Sequence, residues 1–173
     1  MTIAYHAPAF SDETIDMPAM DVLSQLLFSQ TSPLFQQLYL SDQVVDVLSG
    51  GAVDHRDPPL FEVLIRITKP DQIDYVRDTV LAEIERMKTE PVDAQLLADT
   101  KSAMRYSFAS GLNSPGPIAE TLGHYLQLTG DPETVNRVYE LYDQVTADDI
   151  QATAARYFAE TNRTVVVLTQ EAE

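Results

Sequence analysis

The residues that could perform chemistry are few and scattered along the chain. The sequence contains three histidines, His6, His55 and His124, and no cysteine. No histidine has another three to five residues away, so no local zinc motif is present. Asp54 and Asp57 flank His55 in one loop, but their spacing fits no ligand template. A loop rich in Asp and Pro is more often a solvated turn, so we predict no metal ligand in this chain.

Motifs for nucleophilic catalysis and for phosphate binding are also missing from the sequence. Nucleophilic catalysis needs a Ser, Thr or Cys beside a base that a third group orients. Ser49-Gly50-Gly51 lacks the flanking residues of a G-x-S-x-G elbow, and no P-loop or dinucleotide fingerprint occurs. Gly50-Gly51 is more simply a bend or bulge that interrupts a strand. We therefore predict no catalytic residue and no cofactor-binding residue.

The composition indicates a single acidic globular domain. The 173 residues are 45% hydrophobic, which is enough for one substantial core. Twenty-seven acidic against 11 basic residues give a net charge of -16 and argue against binding nucleic acid or an anionic membrane. No apolar run approaches the roughly 20 residues of a membrane span. The segment from Met1 to Pro8 lacks the pattern of a signal peptide.

Periodicity in the first half predicts strands alternating with helices. A short strand over residues 3–7 is followed by an amphipathic helix from Asp16. Ser32-Pro33 starts a short helix, whose predicted buried side is Leu34, Phe35, Leu38 and Tyr39. Residues 43–48 and 60–67 then predict a hairpin, because the second of these runs alternates apolar with charged residues. An apolar stripe from Ile73 to Met87 predicts a helix against that sheet.

The second half predicts a run of helices and one closing strand. Helices are expected from Asp93 to Gly111, from Pro117 to Gly130 and from Asp131 onward. Thr146 and Asp149 form a capping box that starts the last helix. Residues 164–168 are a β-branched run that is apolar on both faces, which favours a strand inside a sheet over one at its edge.

These elements predict an α+β fold made of residues 1–173. Its sheet is expected to be mixed and rich in antiparallel pairs, with helices covering one face, in the order β-α-α-β-β-α, then a helical run and a final strand.

The order of several segments resembles the insulinase or pitrilysin family of zinc metallopeptidases, which includes relatives of the mitochondrial processing peptidase. The resemblance covers nearly the whole chain, although Pro33-Leu34-Phe35 stands where the family usually has an Arg-Leu-Tyr type of segment. The segments that carry it are Ile3 to Pro8, Thr31 to Leu38, Asp57 to Phe61, Leu97 to Lys101, Ile118-Ala119, Val145 to Ile150 and Ala155 to Tyr157.

The resemblance implies a non-catalytic role for this chain. Family members hold zinc on an inverted H-x-x-E-H helix in the first of two similar domains, and this sequence lacks that motif. It resembles the second domain of one half, a fragment of a longer peptidase that forms a chamber wall and packs against a zinc-bearing domain of the same polypeptide or of a partner subunit. Zinc would belong to the full-length enzyme, and its substrate would be a peptide.

Two questions stay open at the level of sequence. The chain could instead be a structural subunit without peptidase activity, like the respiratory-complex core proteins that resemble the same family. Its compartment is unknown, and a periplasmic or extracytoplasmic location would follow only from an upstream signal.

Overall fold

The computed structural model describes residues 1–169, and within that range the chain forms one sheet and a layer of helices. The four strands are Thr2–His6 (β1), Val45–Gly51 (β2), Leu60–Ile67 (β3) and Arg163–Val166 (β4). The six α-helices are Asp16–Phe28 (α1), Ile73–Thr89 (α2), Ala94–Gly111 (α3), Pro115–Thr129 (α4), Thr134–Gln144 (α5) and Ala147–Tyr157 (α6). A π-helix spans Phe35–Ser41, and short 3-10 turns span Pro70–Gln72 and Glu160–Asn162.

The sheet has the strand order β2-β3-β1-β4, and all three ladders are antiparallel. Ile3 lies opposite Val63 on β3 and opposite Val165 on β4, so the first strand of the chain is central. The predicted hairpin of β2 and β3 and the α+β class are confirmed.

The core lies between the sheet and the helices. The inward residues of the two central strands, Ile3, Tyr5, Phe61, Val63 and Ile65, are buried. Phe158 lies at the centre of this layer. Its ring centroid is 4.8 Å from that of Tyr5 and 4.9 Å from that of Phe61. The predicted stripe of α2 is also confirmed, because Val76, Val80, Ile84 and Met87 are buried.

The predicted capping box at the start of α6 is confirmed. The Thr146 hydroxyl accepts a hydrogen bond from the backbone N–H of Asp149 at 3.2 Å, and the Asp149 carboxylate accepts one from the N–H of Thr146 at 2.9 Å. Val145 and Ile150 are both buried beside it, as a hydrophobic staple requires. The α6 helix is therefore fixed at its first turn by local sequence.

Three predictions were wrong. Gly50 and Gly51 do not interrupt the strand, because both pair with β3. The run that begins at Thr164 is not inside the sheet, since β4 is a terminal strand that pairs only with β1 among residues 1–169. Tyr39 is exposed rather than buried, since the segment forms a π-helix in which Leu38 is the buried residue and Tyr39 stacks on Phe35 with a centroid distance of 4.5 Å.

Candidate functional site

Among the three histidines and the Asp54 and Asp57 side chains named from the sequence, the structure brings one pair together. His124 on α4 lies with its Nε2 atom 3.4 Å from a carboxylate oxygen of Asp54 in the β2–β3 loop. His6 and His55 are exposed, one at the end of β1 and the other in that loop. Within residues 1–169 there is no group of three or more His, Cys, Asp or Glu side chains that could hold a metal ion.

The loop that carries Asp54 serves to hold α4. Arg56 donates a hydrogen bond from Nε to the carbonyl of Leu128 at 2.9 Å, and a second from its guanidinium to the carbonyl of Gln127. These carbonyls are in the last turn of α4, where no intrahelical partner exists. An open groove of about 570 Å³ lies between the loop and the helix, and its lining includes His55 and His124. Arg56 gives this loop a structural purpose that its sequence did not indicate.

Gly50 has a packing role and no catalytic one. A Cβ atom at this position would overlap the ring of Phe28 on α1. The hydroxyl of Ser24 donates a hydrogen bond to the Gly50 carbonyl at 2.5 Å. The absence of a side chain therefore lets α1 lie directly on β2.

A partly buried carboxyl group joins α1 to α5. Tyr142 donates a hydrogen bond from its hydroxyl to the carboxyl of Asp21. Burial raises the pKa of Asp21 to about 7, against a smaller lowering by Tyr142, while the charge of Asp54 adds to the rise. Burial also raises the pKa of Tyr142 and of Tyr125 far above the ordinary range of a phenol. The first cause of each shift is burial, which disfavours the charged form, so the shifts follow from the packing of α1 against α5.

The largest candidate site is the side of the sheet that faces away from the helices, which we call the open face. Side chains alternate along a strand, so the neighbours of the buried core residues point to this side. Leu60, Leu64 and Val166 are 45%, 52% and 57% exposed there. The other outward residues of the three strands are Thr2, Ala4, His6, Glu62, Arg66 and Thr164.

The open face is nearly neutral on a strongly acidic protein. The outward residues of β1, β3 and β4 include one acidic residue, Glu62, and one basic residue, Arg66. A second carboxylate, that of Asp46 on β2, lies 2.6 Å from the Nε of Arg66. The remaining net charge of the chain lies elsewhere, because the total is -16. Apolar side chains with few charges are typical of a surface that another protein covers. An open groove of about 630 Å³, lined in part by Leu64 and Ile73, continues the face at one end.

Sequence reasoning missed the open face as a site, although one signal was present. The outward positions of β3 include Leu60 and Leu64 as well as Glu62 and Arg66, so its solvent side is only half polar. The contact of Asp21 with Tyr142 had no local signal, since the two residues are 121 positions apart.

The chain matches the sequence model of the family described as Peptidase M16 inactive domain, over residues 1–104. The comparison with curated proteins gives no match. In the part of the chain that is described, no helix has the length and apolar character needed to cross a membrane.

Several solved structures share the fold. The inactive peptidase domain of a candidate zinc protease from Bordetella parapertussis has a TM-score of 0.81 and 19% identity, covering 99% of this chain and 92% of that one. A protease from Helicobacter pylori gives a TM-score of 0.83 and 20% identity over 94% of this chain. A chain of complex III2 from Candida albicans gives 0.76 and 13% identity over 94% of this chain and 40% of that one. Our chain covers 39% of the length of the Helicobacter pylori chain.

Proposed function

Because the chain belongs to the Peptidase M16 inactive-domain family, we propose that it is the non-catalytic domain of a zinc metallopeptidase. In this role it belongs to a larger assembly whose zinc is held by a different domain, in the same polypeptide or in a partner subunit. Its open face forms part of the wall of the peptide chamber and continues into the contact with the zinc-bearing domain.

The observation that carries this proposal is the open face itself. A side of the sheet with Leu60, Leu64 and Val166 exposed is costly to leave in water, since each apolar square ångström covered by a partner contributes about 25 cal/mol. The near neutrality of this face on a chain of charge -16 fits a surface that contacts protein or peptide. No metal cluster exists within residues 1–169 to supply hydrolysis locally.

The test is reconstitution with a zinc-bearing polypeptide. The polypeptide with an H-x-x-E-H motif that is encoded in the same reading frame or beside this gene is co-expressed with the full chain, and zinc content and peptide cleavage are measured. We expect cleavage from the pair and neither stoichiometric zinc nor turnover from this chain by itself. Stoichiometric zinc with turnover in the single chain would overturn the proposal.

Two matched variants connect the activity to the open face. Leu64→Asp places a charge on the open face at an exposed position, so we expect folding to persist while assembly and cleavage fall. Tyr106→Asp on α3 is the control, because Tyr106 is 77% exposed on the helical side and should leave assembly unchanged. Equal effects of the two variants would contradict a specific role of the open face.

A second function is favoured by the likeness to complex III2. A structural subunit would use the same open face for assembly, without any peptidase partner. Purification of a stable complex that contains this chain but no H-x-x-E-H polypeptide and no cleavage activity would support this alternative.

A further inference from the structure

The two edges of the sheet differ sharply in how they are protected. An exposed strand edge presents unpaired N–H and C=O groups and is normally blocked by charges, Pro, bulges or a covering element. The β2 edge has such protection. Its register shifts between Val45 and Val47, Asp46 adds a charge, and α1 lies over Gly50, whose carbonyl accepts from Ser24.

The β4 edge has little of this protection, since Arg163 at its first position is the one charged residue of the strand. Residues 164–168 contain no charge, no Pro and no Gly, and no strand among residues 1–169 pairs with the outer side of β4. The sequence of this run, β-branched and apolar on both faces, is typical of a strand with neighbours on two sides. The strand therefore has the composition of an interior strand in an edge position.

The hydrogen-bond alternation identifies the free backbone groups. Met1 exchanges both backbone bonds with Ile65, and Ala7 donates to Pro59, so odd positions of β1 point toward β3. Even positions of β1 then point toward β4, where Thr164 and Val166 lie opposite them. The N–H and C=O of Val165 consequently point away from β1, toward the open edge.

We propose that this edge accepts an extended strand of another polypeptide, which pairs with the backbone of Val165 and adds a fifth strand to the sheet. The donor strand carries alternating apolar side chains and is neutral or basic, because the acidic field of this chain repels an acidic one. A second copy is disfavoured for the same reason, since each copy carries a charge of -16. Identification of the donor with the zinc-bearing polypeptide rests on the proposed function.

The experiment uses the full chain and a defined probe. An eight-residue peptide of alternating valine and lysine is titrated in, and exchange of individual amide protons is followed by NMR. We expect the Val165 amide to exchange about tenfold more slowly with bound peptide, while the amides of Thr164 and Val166, already bonded to β1, are unchanged. A peptide of alternating valine and glutamate should bind more weakly.

Two controls separate backbone pairing from nonspecific binding of the peptide's apolar side chains. A peptide with an N-methyl group on every residue has no backbone donor on either edge, and we expect its affinity to drop about tenfold. Val165→Pro should lower affinity by a similar factor, because it removes a donor that β1 does not use, whereas Val165→Thr should change it by no more than about twofold. Thermal unfolding of both variants shows whether the sheet persists.

Some outcomes would overturn the proposal. Equal binding of the N-methylated peptide, or protection that falls elsewhere than at Val165, excludes strand pairing at this edge. Protection of Val165 without peptide, together with a dimer in sedimentation, identifies a second copy as the occupant. These results are independent of zinc content and cleavage by the reconstituted pair, so failure of the proposed function would be recognised separately.

Discussion

Tyr142 on α5 donates a hydrogen bond to the partly buried carboxyl of Asp21 on α1, and this contact helps to fix the helical hairpin of α4 and α5 to the body of the domain. Arg137 on α5 makes a second such contact, with an N–H donated from Nε to the carboxylate of Asp12 at 2.9 Å. Both contacts use acidic residues of the segment before and within α1. Arg56 of the β2–β3 loop also holds the end of α4, and Lys101 on α3 holds the end of α5. Ile118, Leu122 and Leu126 on α4 remain exposed.

The Asp21 contact predicts a distinct pH dependence of stability. Folding raises the pKa of Asp21 from 3.8 to about 7. The contribution of the protonated Asp21 carboxyl to the free energy of unfolding is therefore fully present below pH 3.8, declines as the pH rises and is lost above about 7. The Asp21→Asn variant lacks this titration, so it serves as the reference. The difference in free energy of unfolding, wild type minus Asp21→Asn, should fall by about 1.4 kcal/mol per pH unit where it changes most steeply. Urea unfolding between pH 4 and 8 measures this difference.

The Tyr142→Phe variant is the control for that titration. The hydrogen bond from Tyr142 lowers the pKa of Asp21 in the folded state, so its removal should extend the loss of stability to higher pH. Other titrating groups are common to all three proteins and cancel in the differences. A wild-type minus Asp21→Asn difference that stays constant over this range would show that Asp21 does not titrate there.

Gly50→Ala should destabilise the domain through steric conflict. The added methyl group would overlap the ring of Phe28, and overpacking of this kind costs about 1–3 kcal/mol. Gly51→Ala is the matched control, since the nearest atom to its new Cβ is Ser24 Oγ at 3.7 Å. Thermal or urea unfolding of the two variants gives the comparison, and adding Phe28→Leu should restore part of the stability of Gly50→Ala.

Thr146→Ala should cost about 1 kcal/mol, because it removes the side-chain acceptor at the start of α6. Thr146→Ser retains the hydroxyl and should remain close to the wild type. The midpoint of chemical denaturation is the measurement. An unchanged midpoint in Thr146→Ala would mean that the capping hydrogen bonds contribute nothing to the folded state.

Lys101→Met should loosen the junction between α5 and α6. The Lys101 ammonium donates hydrogen bonds to the carbonyls of Asp143 and Val145, both at 2.8 Å, where α5 ends. Loss of these charge-assisted bonds should cost about 1–2 kcal/mol in the free energy of unfolding. Lys69→Met, at an exposed loop position, should change it by less than about 0.5 kcal/mol. Equal losses in the two variants would contradict a specific role for Lys101.

Much of the fold could be predicted because its signals are local. The Thr146 capping box, the stripe of α2 and the alternation of β3 each depend on residues within a few positions of one another. The open face and the packing of α1 on β2 could not be predicted in this way. Whether Leu64 is covered depends on which side of the sheet the helices occupy, and the packing of Gly50 depends on Phe28 of a different element.

The sequence by itself determined most of the helices and strands, the α+β class and the family. Periodicity and capping depend on residues close together in the chain, and the order of segments is a property of the sequence itself. Only the tertiary structure decided that the run from Thr164 forms an edge, since the number of neighbours of a strand is a property of the whole sheet. A β-branched composition favours an extended backbone wherever it lies. It does not specify how many partners that backbone finds, and at Val165 the sheet leaves one side of the strand open.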